Sequence, residues 1–448
     1  MVSPIECRGS PRLEQNDARQ SHLMTIRVDS EIGKLRRVLV HRPDREIDWM
    51  VPRMMEQLLF DDILYAKEAR AEHEDFCSVL QRAGVETLEA QDLLVEVLAE
   101  PMAREELFED LGRNGELPRQ GRSVLEDLEP AALAAALIAG LRHEDGYHSA
   151  ESVLFDLTPI PNYFFQRDPQ SVLGDRVMIS SMATAARRRE ALLAKSIFSH
   201  HRLLSGHSGL FPMADGETGA GFLSGGEPPT IEGGDVLVAS SEILLVGISQ
   251  RTNRRGAERL VEYLRRNAGS FRHLIMVDLP ARRSYMHLDT VFTLIDDGLC
   301  LAYPPVIEPG HQLTGRAFYV DLRAEEFSLM LRPSLLEALD QLGMSLDVVP
   351  CGGAGDILFQ EREQWTDGAN AFAIEPGVIL LYRRNRRTID ELAKRGWRVV
   401  SEEDVIAGRE AVVGRGPTVV TVEGDELSRA RGGPRCMTMP LEREPMSA

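Results

Sequence analysis

The chain has 448 residues, 43% hydrophobic and 27% charged, which is ample to bury a core without disulfide or metal staples and argues against global disorder. Its 51 cationic and 70 anionic side chains give a formal charge of −19, a poor match to nucleic acid or an anionic membrane. Such a surplus of carboxylates tolerates a cationic substrate. The only lysines are Lys34, Lys67, Lys195 and Lys394, so Schiff-base chemistry has few candidates. The cysteines Cys7, Cys77, Cys300, Cys351 and Cys436 are odd in number, scattered and free of CxxC pairing, which reads as a reduced, cytoplasmic protein.

Residues 1–24 read as a flexible tail without a basic-then-apolar leader, with Met24 an alternative start. Residues 35–41 (LRRVLVH) predict a buried strand. Within residues 63–83, Phe76, Val79, Leu80 and Ala83 fall at helical spacing; Gly84 suits the stop and residues 85–88 resume as strand. Residues 90–148 change texture, with Leu107, Leu111, Leu128, Leu133, Leu137 and Leu141 at helical intervals, and predict an inserted helical domain. Its apolar run at residues 130–141 is too short to span a bilayer.

Beyond it a strand is expected at 177–180, a helix at 188–203 and a Gly-rich surface excursion at 205–229. Residues 235–249 predict a hairpin turning at Ser240-Ser241, followed by a helix with Leu260, Val261 and Leu264 on one face. Thr388 and Glu391 fit a capping box. Strands alternating with single helices recur about five times, which fits either an open α/β sheet or a repeat array closed on itself.

The chemistry concentrates in four motifs. Cys436 lies in Arg431-Gly432-Gly433-Pro434-Arg435-Cys436-Met437, where two glycines permit close approach and two arginines favour a thiolate. The other cysteines lack such surroundings, and Cys77 reads as helix packing. In Met286-His287-Leu288-Asp289-Thr290, a strand would put His287 and Asp289 on one face, pairing a proton shuttle with a carboxylate. Glu232 precedes Gly233-Gly234, which lets it point into a cleft, and Pro169 fixes the direction of Asp168. Several acids in one pocket raise each other's pKa unless a cation sits among them. A planar cation with many N–H donors satisfies paired carboxylates bidentately, so the set points to a guanidinium or amidinium attacked at carbon by the thiol.

With these residues in view, the chain resembles the arginine deiminases of the guanidine-modifying superfamily. The similarity runs from about residue 30 to the C-terminus, through residues 30–35, 38–43, 59–63, 162–169, 231–235, 247–253, 286–292 and 431–437. It implies a five-bladed α/β-propeller of ββαβ modules over residues 25–89 and 149–448, with the helical domain at 90–148 inserted after the first module. It also implies that Cys436 attacks the guanidinium carbon of L-arginine and His287 acts as general acid and base. Asp168 and Asp289 would grip the guanidinium, and Glu232 would support that network and His287. Arg187 and Arg251 match carboxylate-binding arginines, Asn162 and Phe165 match substrate-lining positions, and Arg431 matches an arginine at the pocket entrance. No metal or organic cofactor is implied, and a homo-oligomer, dimer or tetramer, is expected. Rival readings on the same scaffold are an enzyme acting on agmatine or methylated arginine, an amidinotransferase, and a non-catalytic arginine-binding protein. A metal site built from His287, Asp289, Glu232 and Cys436 is disfavoured by the lack of a second nearby histidine or a CxxC pair.

Overall fold

A computed structural model describes residues 23–117, 122–143, 154–214, 228–267 and 269–446. The expected tail up to residue 22, Cys7 and most of the Gly-rich excursion lie outside the described residues.

The chain builds five sheets of three or more strands, and each carries the same ββαβ order. The clearest example begins with the strands Val236–Val238 and Ile243–Ile248, which pair antiparallel. The turn falls at Ser240 and Ser241 as expected, and Ser240 Oγ accepts from the N–H of Ile243 at 3.2 Å. The chain then enters the helix Arg254–Arg266, capped by Asn253, whose side chain accepts from the N–H of Gly256. It returns as His273–Asp278, parallel to Ile243–Ile248. Leu260, Val261 and Leu264 are buried against this sheet, which puts the apolar face of the helix to work.

The same order recurs in Gln170–Leu173, Arg176–Ile179, helix Ala185–His200 and Gly209–Pro212. It recurs again in Phe292–Asp296, Leu299–Ala302, helix Leu335–Asp340 and Asp347–Pro350. A fourth copy runs through Phe372–Glu375, Val378–Tyr382, helix Arg386–Lys394 and Thr418–Val422, with Arg398–Ser401 added at the edge. The fifth joins the two ends of the chain. Met439–Arg443 pairs antiparallel with Leu35–Val40, which leads through helix Ala66–Arg82 to the parallel strand Glu86–Glu89. The repeat therefore closes on itself, as an α/β-propeller requires, and among the described residues the modules form separate sheets, linked only by isolated bridges such as Ser181 with Ile231, rather than one open sheet.

Residues 90–139 form helices Ala90–Leu98, Pro101–Arg113, Arg122–Glu126 and Pro130–Ala139. The first two pack on helix Ala185–His200. Leu107, Leu111, Leu133 and Leu137 join the same core as Ile197 and Phe198, so these helices share a hydrophobic interior with the neighbouring module.

Two local expectations are corrected. Thr388 does not cap its helix: Asn385 holds that position and Thr388 lies in the first turn. The carboxylate of Glu363 accepts instead from the N–H groups of Arg387 and Thr388, at 2.8 and 2.9 Å, so the cap comes from a distant residue. Residues 286–290 are not a strand either. His287 is extended, Leu288–Thr290 is a single 3-10 turn, and the strand begins only at Phe292.

Candidate active site

The modular repeat sets out the polar residues. Asp168 stands just before Gln170–Leu173, Glu232 before Val236–Val238, Asp289 before Phe292–Asp296, Asn370 before Phe372–Glu375, and Cys436 before Met439–Arg443. Each module thus offers one polar side chain at the same place in its fold. Asp168, Glu232, His287, Asp289, Asn370 and Cys436 are all at most 5% exposed.

Glu232 and His287 are joined by a 2.8 Å contact between Oε2 and Nε2. His287 Nδ1 lies 3.6 Å from Asp168 Oδ1, so the imidazole sits between two carboxylates. Burial would depress its pKa, but Asp168, the Glu232 hydrogen bond and Asp235 lift it to about 9. Burial would likewise raise Glu232, yet the His287 hydrogen bond and the charges of Arg251, His287 and Arg187 bring it down to about 2. The pair is an ion pair at neutral pH. Asp235 fixes the turn beneath it, accepting from Ser249 Oγ at 2.7 Å and from the N–H of Leu288 at 2.9 Å.

The two glycines after Glu232 serve closeness rather than a special backbone angle, since neither has a positive φ. A Cβ on Gly234 would stand 2.5 Å from His287 Nδ1 and 2.9 Å from Asp168 Oδ1; one on Gly233 would stand 2.6 Å from Ser171 Oγ. Gly432 and Gly433 act in the same way. Gly432 lies against the ring of Phe165, and a Cβ on Gly433 would stand 2.7 Å from Asn370 Oδ1.

Cys436 is held by its backbone. Asn370 Oδ1 accepts from the N–H of Arg435 at 3.0 Å and of Cys436 at 3.1 Å, while Asn370 Nδ2 donates to Asp289 O at 3.0 Å. The thiol is 3.8 Å from Asp289 Oδ2. The two nearby arginines do not bring it down as the sequence suggested. Arg435 is committed to Glu31, through Nε and Nη2 at 3.0 Å each, and to Asp289 Oδ2 at 2.7 Å. Arg431 stacks on Trp365 with its guanidinium carbon 3.6 Å from the ring centroid. Burial, then the charges of Asp289, Asp168 and Asp367, push the Cys436 thiol well above its ordinary value. The thiol is therefore neutral at pH 7.

Arg187 is saturated. Its Nε and Nη2 donate to Glu190, Nη1 to Asp168 Oδ2 at 2.6 Å, and Nη2 also to the carbonyl of Asn162 at 3.4 Å. Asn162 in turn donates from Nδ2 to Leu58 O at 2.7 Å. Arg251 and Arg431 differ, since both are buried while Nε and Nη1 of the first and Nε and Nη2 of the second have no hydrogen-bond partner among the described residues. Asp168 Oδ1 and Asp289 Oδ1 are buried acceptors without a hydrogen bond among the described residues, the first 3.6 Å from His287 Nδ1. Unmet buried donors and acceptors are rare in folded proteins, and here both kinds sit within one charged site.

Sequence reading missed Glu31, Asn370 and Asp367. Asp367 is fully buried in a left-handed backbone conformation with neither oxygen hydrogen-bonded, and burial and Asp289, opposed by Arg431, raise it to about 7. The signal for Asn370 was available, because four motifs ahead of four first strands call for a fifth ahead of Phe372.

Known proteins resemble this chain over most of its length. A family model described as arginine deiminase matches residues 56–443. Arginine deiminases of Listeria monocytogenes and Bacillus cereus are 35% and 33% identical, over 94% of this chain and 98% of theirs. Among solved structures, an amidinotransferase of saxitoxin biosynthesis from Microseira wollei aligns over 94% of this chain and 98% of its own, with a TM-score of 0.54 at 13% identity. Inosamine-phosphate amidinotransferase from Streptomyces griseus aligns over the same shares at 0.50 and 16%. At such identities these two structures speak for the fold alone.

Proposed function

Because the chain belongs to the arginine deiminase family, we propose that it hydrolyses L-arginine to L-citrulline and ammonia through a covalent intermediate on Cys436. The observation that carries this reading is the pattern of unmet hydrogen-bonding groups. Asp168 and Asp289 offer two free acceptors near the thiol, and Arg251 and Arg431 offer free donors. A guanidinium at one end of a substrate and a carboxylate at the other answer both needs. Agmatine, which lacks the carboxylate, leaves the arginines unanswered.

The electrostatics order the steps. Burial and then the charges of Asp289 and Asp168 keep the thiol neutral; a guanidinium between those carboxylates cancels their charge, and the thiol proton passes to solvent as the cation binds. The thiolate adds to the guanidinium carbon. His287, an imidazolium in the empty site, passes its proton to the departing nitrogen, ammonia leaves, and an S-alkylthiouronium remains on Cys436. Neutral His287 then takes a proton from water as the water adds to the same carbon. The C–S bond breaks as the hydroxyl proton of this intermediate passes to the departing thiolate, which restores the thiol and releases citrulline. Glu232 holds the imidazole throughout. Arg187 keeps Asp168 oriented; Asn162 and Phe165 line the substrate, with Phe165 packed on Gly432.

Asp168, Glu232 and His287 also offer donor atoms within 4.8 Å of one another, a spacing that suits a divalent ion. The thiol reading needs no such ion, so activity should survive prolonged chelation. The direct test is mass spectrometry of enzyme quenched during arginine turnover. An adduct of the amidino-bearing substrate carbon on the Cys436 peptide is expected; unmodified thiol under steady turnover would refute the covalent route. No helix among the described residues is long and apolar enough to cross a membrane, and we propose a cytoplasmic homo-oligomer as the working form.

A further inference from the structure

A second cavity, of about 400 Å³, opens at the start of helix Ala185–His200. Leu58, Leu117, Ala185 and Ala186 give it aliphatic walls, and its charges come from Arg189, Glu116 and Asp156. None of Asp168, Glu232, His287, Asp289 or Cys436 lines it.

Arg189 is 2% exposed. Its Nη2 donates to the carbonyl of Thr158, but Nε and Nη1 have no partner among the described residues. Burial lowers it to about 10 against the pull of Glu116 and Glu190, so it is charged at neutral pH. The helix beside it starts at Thr184, a lining residue, without a side-chain cap, and Thr184 Oγ1 is buried with no hydrogen-bond partner among the described residues. Two free guanidinium N–H groups beside a bare helix N-terminus suit one carboxylate. The other lining charges are acidic: Glu116 is 3.8 Å from Arg188 Nη1, and the carboxylate of Asp156 accepts from His143 Nδ1 at 2.8 Å. They repel a dianion and complement an ammonium. One carboxylate, one ammonium and aliphatic walls define a single chemical class.

We propose that this cavity binds a free α-amino acid with a short aliphatic side chain, its carboxylate on Arg189 and its ammonium toward Glu116 and Asp156. The cavity touches the catalytic centre through its own walls. Leu58 O receives Asn162 Nδ2 at 2.7 Å, Ala183 N, beside the lining Thr184, donates to Glu232 Oε1 at 3.0 Å, and Arg187 on the next turn holds Asp168 at 2.6 Å. Occupancy therefore shifts the KM for arginine. Only that effect on turnover rests on the reaction assigned above; the binding itself does not.

The test is calorimetric titration of L-valine into the full-length protein. The wild type should bind it, and Arg189→Gln and Glu116→Gln should each weaken binding about tenfold or more, the loss expected when a charged hydrogen-bond partner is removed. Arg251→Gln and Arg431→Gln should leave it unchanged. Binding lost in these two variants and kept in Arg189→Gln would place the ligand in the catalytic pocket and overturn the proposal, as would the absence of wild-type binding. Should Arg189→Gln fail to fold, Glu116→Gln, whose side chain is 16% exposed, decides alone: unweakened binding there overturns the proposal.

Discussion

The sulfur of Cys436 lies 3.8 Å from Oδ2 of Asp289, and the same oxygen receives Arg435 Nη1 at 2.7 Å. The thiol therefore faces an anion, not a cation, and its reactivity is switched by whatever enters the site. Substrate-free enzyme should alkylate slowly with iodoacetamide at neutral pH and faster as the pH rises toward the thiol's raised pKa. Asp289→Asn removes the anion and leaves Arg435 nearby. Each unit by which the thiol pKa falls raises its neutral-pH alkylation rate about tenfold. Arginine turnover should drop in the same variant. An alkylation rate no faster than wild type would show that Asp289 does not govern the thiol.

Glu31 and Arg435 form a buried bidentate pair that ties the segment before the strand Leu35–Val40 to the loop of Cys436. Burial would raise Glu31, but Arg435 and Arg167 bring it down to about 2, below its ordinary 4.5. Its contribution to stability is thus fully present above about pH 4.5 and is lost as the pH falls through about 2. Removing one partner of a buried pair costs about 3–5 kcal/mol. Glu31→Gln should lower the unfolding midpoint accordingly at pH 7, and its stability should fall less steeply than wild type below pH 4.5. Equal midpoints by thermal unfolding at pH 7 would deny the pair its role.

That pair also marks where sequence reading stops. The hairpin at Ser240 and Ser241 and the helix through Leu260 and Leu264 were legible because their causes are local: a turn dipeptide and an apolar face. The site motifs were legible because residue type and neighbourhood name the chemistry. Arg435 was not, since its neighbours in sequence suggested a thiolate partner while its guanidinium turned to Glu31, 404 residues away in the chain. The cap at Thr388 failed for the same reason: Glu363 supplies it from 25 residues upstream. His287 and Asp289 were placed on a strand by an alternation that tertiary contacts override, because Asp235 pins Leu288 into a turn.

Gly234 and Gly233 separate activity from stability. A methyl on Gly234 meets side-chain atoms of His287 and Asp168, whereas one on Gly233 meets the backbone carbonyl of Arg167. Gly234→Ala should push the imidazole off Glu232 and lower kcat by about 10²- to 10⁴-fold, the usual worth of a general acid–base, with little change in unfolding midpoint. Gly233→Ala should lose stability first, because backbone cannot move aside as a side chain can. Steady-state kinetics beside thermal unfolding tests both; a Gly234→Ala enzyme with wild-type kcat would show that the imidazole position is not critical.

On the proposed reading, Arg251 and Arg431 receive the substrate carboxylate and so select among guanidines. Both are buried and hold donors with no hydrogen-bond partner among the described residues, and burial depresses the pKa of each against nearby carboxylates. An unpaired guanidinium in such a place is kept at a cost that a bound carboxylate removes. Each pairing with a charged partner contributes about 1.5–3 kcal/mol, or roughly one to two orders of magnitude in affinity. Arg251→Gln and Arg431→Gln should therefore raise the KM for L-arginine by about that factor with a smaller change in kcat. Their effect on any turnover of agmatine should be slight, because agmatine has no carboxylate to engage them. Wild-type turnover of agmatine equal to that of arginine, or equal losses on both substrates in the variants, would break the link between these arginines and the substrate carboxylate. Arg187→Gln should behave differently. It frees Asp168 and Glu190 together, so its loss should fall on kcat for both substrates, separating the residue that orients a carboxylate from the two that receive one.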